Sequence, residues 1–298
     1  MYDLFSENNT APKPMAVPME LAVQWLKLSA HAGPQLVMVT PELAAGLLKL
    51  NVENRTLRQT NIDKIARDMA QGRWEDNGDT IRFSDEPALL DGQHRLMAIV
   101  QTGLPMPLWI RSGLAKKTRS TMDTGARRTA GDALKFAGVS NGKNVAAVIR
   151  KVLMWNMGDK KLSSNLTISN AEIEDAFHSD ALAFQRSADI GTRTYGGFVF
   201  LPASVIGTAH YLTYKIDSAT CGEFYDRLGS GLMLTADSPV YALRKKAEID
   251  KKNKVEVPDG VKLSMIFLAW NKVRKGEPLT AIRMKSPTTG EVIYHEPK

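Results

Sequence analysis

The stretch LLDGQHRLMAIVQTG, Leu89 to Gly103, decides how the first part of this chain folds. A short apolar run stops at Asp91-Gly92, and a helical pattern begins there. Asp91 is a preferred helix-capping residue, and Gly92 lets the backbone approach whatever lies against it. Leu96, Met97, Ile99 and Val100 then give a buried helix face, and Gly103 is placed to end the helix. Gln93, His94 and Arg95 fall in the first turn. Backbone N–H groups and the positive end of the helix dipole meet three side-chain donors there, which together make an anion or phosphate seat. A surface turn with solvated polar residues is the competing reading.

Working outward, Leu36–Val39 is a β-prone run, and Thr40-Pro41-Glu42 starts a helix over 41–49 with a capping hydroxyl and an N-terminal proline. Ile62, Ile65, Ala66 and Met69 line one face of a helix over 60–71, closed by Gly72. Trp74 and Asn77-Gly78 form a turn before the strand Thr80–Ser84. Asp85-Glu86-Pro87 then turns the chain back into Ala88-Leu89-Leu90. After the motif, Pro107–Arg111 reads as another strand and 115–122 as a helical turn or two. Residues 36–112 therefore form a compact α+β unit. Upstream, Pro12, Pro14 and Pro18 mark a loose arm over 1–18, and 20–29 a short helix.

From Thr129 the pattern is almost wholly helical: 129–137, 141–157, 169–178 with Ser169 and Glu172 as a capping box, 181–189, 201–214, 219–228, 237–252 and 261–275. Gly191 to Gly197 (GTRTYGG) reads as a flexible loop interrupting these helices, too irregular for a phosphate-loop signature.

Across its 298 residues the chain carries 39 Lys and Arg against 32 Asp and Glu. The net charge of +7 favours a polyanionic partner such as DNA, with plain solubility as the alternative. A hydrophobic content of 43% supports a sizeable core. One cysteine, Cys221, excludes an intrachain disulfide and any Cys-based metal cluster. The five histidines show no ligand spacing. No apolar run reaches the roughly 18 residues of a membrane span. The opening MYDLFSENN lacks a signal-peptide pattern, so a cytoplasmic protein is expected.

The succession Asn54-Arg55, helix, Gly72-Arg73-Trp74, NGDTIRFS (77–84) and LLDGQHRLMA (89–98) resembles the ParB/sulfiredoxin-like superfamily. The likeness runs over 36–130. It is nearest to an uncharacterised branch common in phages and mobile elements, which also carries an element like MDTGARRT, here 122–129. The resemblance implies a small α+β fold whose Gly-x-x-Arg turn holds the phosphates of a nucleotide. Sulfiredoxin holds ATP with a Gly-Cys-His-Arg turn and ParB proteins hold CTP with Gly-Glu-Arg-Arg, while related domains with DGQQR are linked to nucleotide-dependent DNA restriction. By position, Gly92, His94 and Arg95 are the implied phosphate contacts. Gln93 stands where sulfiredoxin has its reactive Cys and ParB its Glu, so neither sulfinic acid reduction nor the ParB mode of hydrolysis is implied.

The expected organisation is an arm and short helix over 1–35, a ParB/sulfiredoxin-like nucleotide-binding domain over 36–125 and a helical domain over 126–298. A nucleoside triphosphate, ATP or CTP, with Mg²⁺ is the expected cofactor. Nucleotide, DNA and a second copy of the chain are the candidate partners, and no membrane is. Two function classes follow. One is an NTPase, phosphotransferase or ParB-like nuclease, with His94 and Asp91 catalytic. The other is a non-catalytic DNA-binding module gated by nucleotide.

Gly92, Gln93, Arg95, Asn54, Arg55, Arg127 and Arg128 are the candidate nucleotide contacts, and Asp79 the candidate metal ligand. Each has a plainer alternative: an N-cap for Asp91, a turn for Asn54-Arg55 and for Asp79, solvated loop charges for Arg127-Arg128. Arg244-Lys245-Lys246 with Lys251, Lys252 and Lys254 is the densest basic run, suited to nucleic acid or simply to solvent. Trp155 and Trp270 sit among apolar residues and read as core.

Overall fold

A computed structural model describes residues 12–30, 32–52, 54, 56–122, 129–163 and 166–298. The chain divides into two compact units, Met1–Ala126 and Arg127–Lys298. The first is α+β and the second mostly helical.

In the first unit the order is β1 (Met15–Ala16), α1 (Ala22–Leu28), β2 (Gln35–Val39), α2 (Pro41–Leu48), α3 (Gln59–Ala70), β3 (Thr80–Ser84), β4 (Leu89–Asp91), α4 (Gln93–Thr102) and β5 (Met106–Leu114). The strands form one mixed sheet in the order β1-β2-β5-β3-β4. β2 and β3 flank β5, antiparallel and parallel to it respectively, and β4 returns antiparallel on β3. The expected loose arm is pinned at Met15 and Ala16, which pair with Val37 and Met38. The prolines on either side did not advertise so short a pairing. The Thr40 hydroxyl caps α2 by accepting from Leu43 N–H at 3.2 Å, as the Thr-Pro-Glu start predicts.

One face of the sheet presents Val37, Val39, Ile81, Phe83, Leu108 and Ile110 to α4, whose Leu96, Ala98 and Ile99 are fully buried. α2 and α3 pack against α4 in turn. Each large aliphatic side chain buried this way contributes about 1.5–3 kcal/mol, so α4 is fixed by its apolar stripe.

The start of α4 differs from the sequence expectation. Asp91 ends β4, opposite Arg82, and Gly92 is the N-cap at φ +104°. A Cβ on Gly92 would lie 2.4 Å from Cδ1 of Ile81. Only glycine combines that backbone angle with that approach to the sheet. Gly103 ends α4 in the left-handed conformation, as expected.

The second unit runs α5 (Ala130–Phe136), α6 (Gly142–Asn156), α7 (Asn170–Ser179), α8 (Ala181–Gly197), α9 (Ala203–Tyr214), α10 (Ser218–Ser230), α11 (Pro239–Lys252) and α12 (Asp259–Arg274). The capping box of Ser169 and Glu172 is present, joined by a second at Thr129 and Asp132. Trp155 and Trp270 are core residues, meeting Phe267 and Phe224 edge-on.

The expected glycine-rich loop is helix: Gly191 to Gly197 forms the last turns of α8. A Cβ on Gly191 would come 2.3 Å from the Ala203 carbonyl oxygen and 2.8 Å from Gly207 N. One on Gly207 would come 2.8 Å from the Ser187 carbonyl oxygen. The glycines let α8 and α9 touch backbone to backbone, and tertiary contact outweighs a helix-propensity cost of about 1 kcal/mol each.

His210 of α9 is buried at 3% exposure, with its Nδ1 2.9 Å from the Ser187 hydroxyl. Burial, with Arg186 and Arg193 adding to it, lowers its pKa from 6.5 to about 4. The folded state therefore binds this proton less readily than the unfolded chain, so the stability involved is present above pH 6.5 and lost as pH falls towards 4. Denaturant unfolding at pH 7 and again near pH 4 should show the helical unit losing on the order of 3 kcal/mol. His210→Gln should flatten that dependence.

Candidate functional site

The Gly92 turn is built by β3, β4 and α4. Because side chains alternate along a strand, Arg82 of β3 points away from the core that receives Ile81 and Phe83. Its register partner is Asp91. The carboxylate Oδ2 of Asp91 lies 3.0 Å from Arg95 Nη2 and 3.6 Å from Arg82 Nη1. Arg95 also donates to the Thr80 carbonyl at 2.9 Å, and Arg82 Nε donates to the Thr80 hydroxyl at 3.1 Å. Two guanidinium groups thus share one carboxylate beside the N-terminus of α4. Arg95 is the more enclosed of the pair, with 11% of its side chain exposed against 31% for Arg82.

Gln93 is turned inward, 5% exposed, and its Oε1 accepts from Asn51 Nδ2 at 3.0 Å. Asn54 donates to the Asn51 side chain and, at 2.7 Å, to the Leu89 carbonyl. Leu89 N–H donates to the Leu50 carbonyl at 2.9 Å. The loop after α2 is therefore stitched to β4 and to the first turn of α4. His94 Nε2 accepts from the Arg58 backbone N–H at 3.1 Å. That bond selects the tautomer carrying its proton on Nδ1.

Of the expected site residues, the structure brings together Asp91, Gly92, Gln93, His94, Arg95 and Asn54. Arg55, Arg127 and Arg128 lie outside the described residues. Asp79 is part of the turn leading into β3, where its N–H donates to Asn77 Oδ1 at 3.0 Å. The next residue, Thr80, is the one that accepts from Arg95 and Arg82. Among the described residues no group of three or more His, Cys, Asp and Glu side chains is placed to hold a metal ion. The carboxylate in the turn itself is that of Asp91, which both arginines engage.

Arg82, Thr80 and Asn51 were not anticipated from the sequence. The alternation of β3 marks Arg82 as facing away from the core, whereas nothing in the aperiodic stretch around Asn51 signals its bond to Gln93. Asp76, also unanticipated, accepts from the Trp109 indole at 2.8 and 2.9 Å and from Gly78 N–H at 3.0 Å. These bonds, the Gly78 one foremost, hold its carboxyl below the usual range.

A cavity of about 580 Å³ lies in the second unit. One of about 540 Å³ in the first is lined by Val52, Asp85, Glu86, Lys116 and Lys117, at the β3–β4 hairpin tip, with none of 91–95 among its walls. The basic run on α11 is thinner than its sequence. Arg244 lies over the Phe198 ring at 4.4 Å and donates to the Leu228 and Gly229 carbonyls, and Lys246 pairs with Asp250. Lys245, Lys251, Lys252 and Lys254 remain exposed.

No helix among the described residues is long and apolar enough to cross a membrane. Comparison with known protein families, curated proteins and solved structures gave no match.

Proposed function

We propose that the first unit is a ParB/sulfiredoxin-like nucleotide-binding domain of phage or mobile-element type. In this reading it holds the phosphates of ATP or CTP, with Mg²⁺, at the Gly92 turn, and hydrolyses the triphosphate or transfers its phosphoryl group in a DNA-related process. The observation that carries the reading is Gly92 at φ +104° between β4 and α4, with Arg95 in the first turn and Arg82 beside it. Backbone N–H groups at a helix start and forked guanidinium donors are the groups that recognise phosphate oxygens. The sequence resemblance over 36–130 supports the same assignment. Arg95 and the α4 N-terminus would bind the phosphates and His94 would handle a proton.

The second reading is a nucleotide-gated DNA-binding module without turnover. It is favoured by the engagement of both catalytic candidates, Asp91 with two arginines and His94 Nε2 with Arg58 N–H. Such bonds hold a hinge between loop and helix as readily as they tune a base.

Calorimetric titration with ATP and CTP in the presence of Mg²⁺ tests nucleotide binding. The expected result is saturable binding of one of them, weakened about tenfold or more in Arg95→Lys, which keeps the charge but loses the fork. Neither nucleotide binding the folded wild-type chain would sink the proposal. Phosphate release by the wild type, with and without DNA, then separates enzyme from gate.

A further inference from the structure

The sheet of the first unit has a second face. Val37, Val39, Ile81, Leu108 and Ile110 point into the core, so by alternation Leu36, Thr80, Arg82, Pro107, Trp109 and Arg111 point the other way. None of these six is buried. The register sets them in neighbouring rows. Leu36, Trp109 and Thr80 lie side by side on β2, β5 and β3, and Arg111 of β5 lies beside Arg82 of β3, with Asp91 of β4 beyond it.

Two features set this face apart. The first is Trp109, whose indole N–H donates to both carboxylate oxygens of Asp76, at 2.8 and 2.9 Å. That N–H lies in the ring plane, so the acid holds the indole by its edge and leaves the faces of the ring to other partners. Among the described residues no aromatic ring or cation stacks on it. The second is the pair of arginines, because like charges side by side on neighbouring strands cost stability. Arg82 is compensated by Asp91, whereas Arg111 has no acidic partner among the described residues. The acids bordering the face are Asp91, engaged by Arg82 and Arg95, Asp76, engaged by the indole and by Gly78 N–H, and Asp79 in the turn before β3.

We propose that this face binds a single strand of nucleic acid, with a base stacked on Trp109 and a phosphate held by Arg111. An indole fixed at its edge stacks bases of any identity, and a forked guanidinium without an internal acid matches phosphate oxygens. The two residues stand two positions apart on β5, roughly 6–7 Å, which is within the reach of one nucleotide from base to phosphate. The net charge of +7 favours such a polyanion. A duplex fits less well, since its bases are stacked on one another and offer no free face to the indole. The surface is independent of nucleotide binding at the Gly92 turn.

The test is fluorescence anisotropy of the full chain with a labelled single-stranded DNA of about 12 nucleotides at low salt, with a duplex of the same length alongside. The expected result is saturable binding of the single strand, tighter than that of the duplex. Trp109→Ala should weaken it about tenfold or more, and Trp109→Phe, which keeps a stacking ring, should restore most of the loss. Arg111→Gln should weaken binding and lower the slope of log affinity against log salt by about 0.7, the share of one phosphate contact. This variant carries the test should Trp109→Ala fail to fold. Lys252→Gln on α11 and Arg95→Lys should both leave the affinity unchanged, so that failure here and failure at the Gly92 turn are told apart. No saturable binding at low salt, a duplex bound as tightly as the single strand, or binding that survives both Trp109→Ala and Arg111→Gln overturns the proposal.

Discussion

Gly191→Val should destabilise the helical unit by about 3–5 kcal/mol, the range of a severe overpacking change. Its Cβ position lies 2.3 Å from the Ala203 carbonyl oxygen, and both atoms belong to helix backbones that cannot give way singly. α8 and α9 would have to separate along their length. For a unit of this size the melting temperature should fall by roughly 10 °C. Gly196, five residues on in the same helix, has nothing within 4 Å of its Cβ position. Gly196→Ala should therefore raise stability by about 0.5–1 kcal/mol, through helix propensity alone. Thermal unfolding followed by circular dichroism compares the two. Equal effects would mean that close packing is not what Gly191 supplies.

Gly92→Ala is the second large effect, expected at about 2–4 kcal/mol in the first unit. Two costs combine: a backbone at φ +104° that side-chain-bearing residues avoid, and a Cβ 2.4 Å from Cδ1 of the fully buried Ile81. Trimming the neighbour separates them. In an Ile81→Val background the steric part should shrink while the backbone part persists, so the double variant should recover only a fraction of the loss. Urea unfolding of the single and double variants measures both, and full recovery would show that the backbone angle costs nothing.

These two glycines also show where the sequence was legible and where it was not. Apolar spacing located α3, α4, α6 and α12 to within a few residues, because their buried faces repeat over several turns. The cap of α4 was misplaced by one residue. Aspartate is the better N-cap by local preference, but Asp91 is engaged by Arg82 and Arg95, and that register comes from strand pairing, which no local pattern records. The end of α8 was misread for a related reason. Three glycines in GTRTYGG look like a loop until the helices packed against them are known. For the candidate site, the motif gave Gly92, His94 and Arg95 as neighbours of one turn. It did not give Asn51, whose bond to Gln93 spans 42 positions, nor the inward orientation of Gln93 that results.

Among the described residues the two borders of the first unit's sheet are both short. On one side β1 is two residues long, so little unpaired backbone is offered beyond it. On the other, both backbone groups of Leu89 in the three-residue β4 are taken, its N–H by Leu50 and its carbonyl by Asn54. Open strand edges are where chains add to one another without limit. Here the asparagine that fastens the loop also occupies the outward carbonyl of Leu89, so at that residue β4 is closed to a further strand and Asn54 guards the sheet against strand addition there.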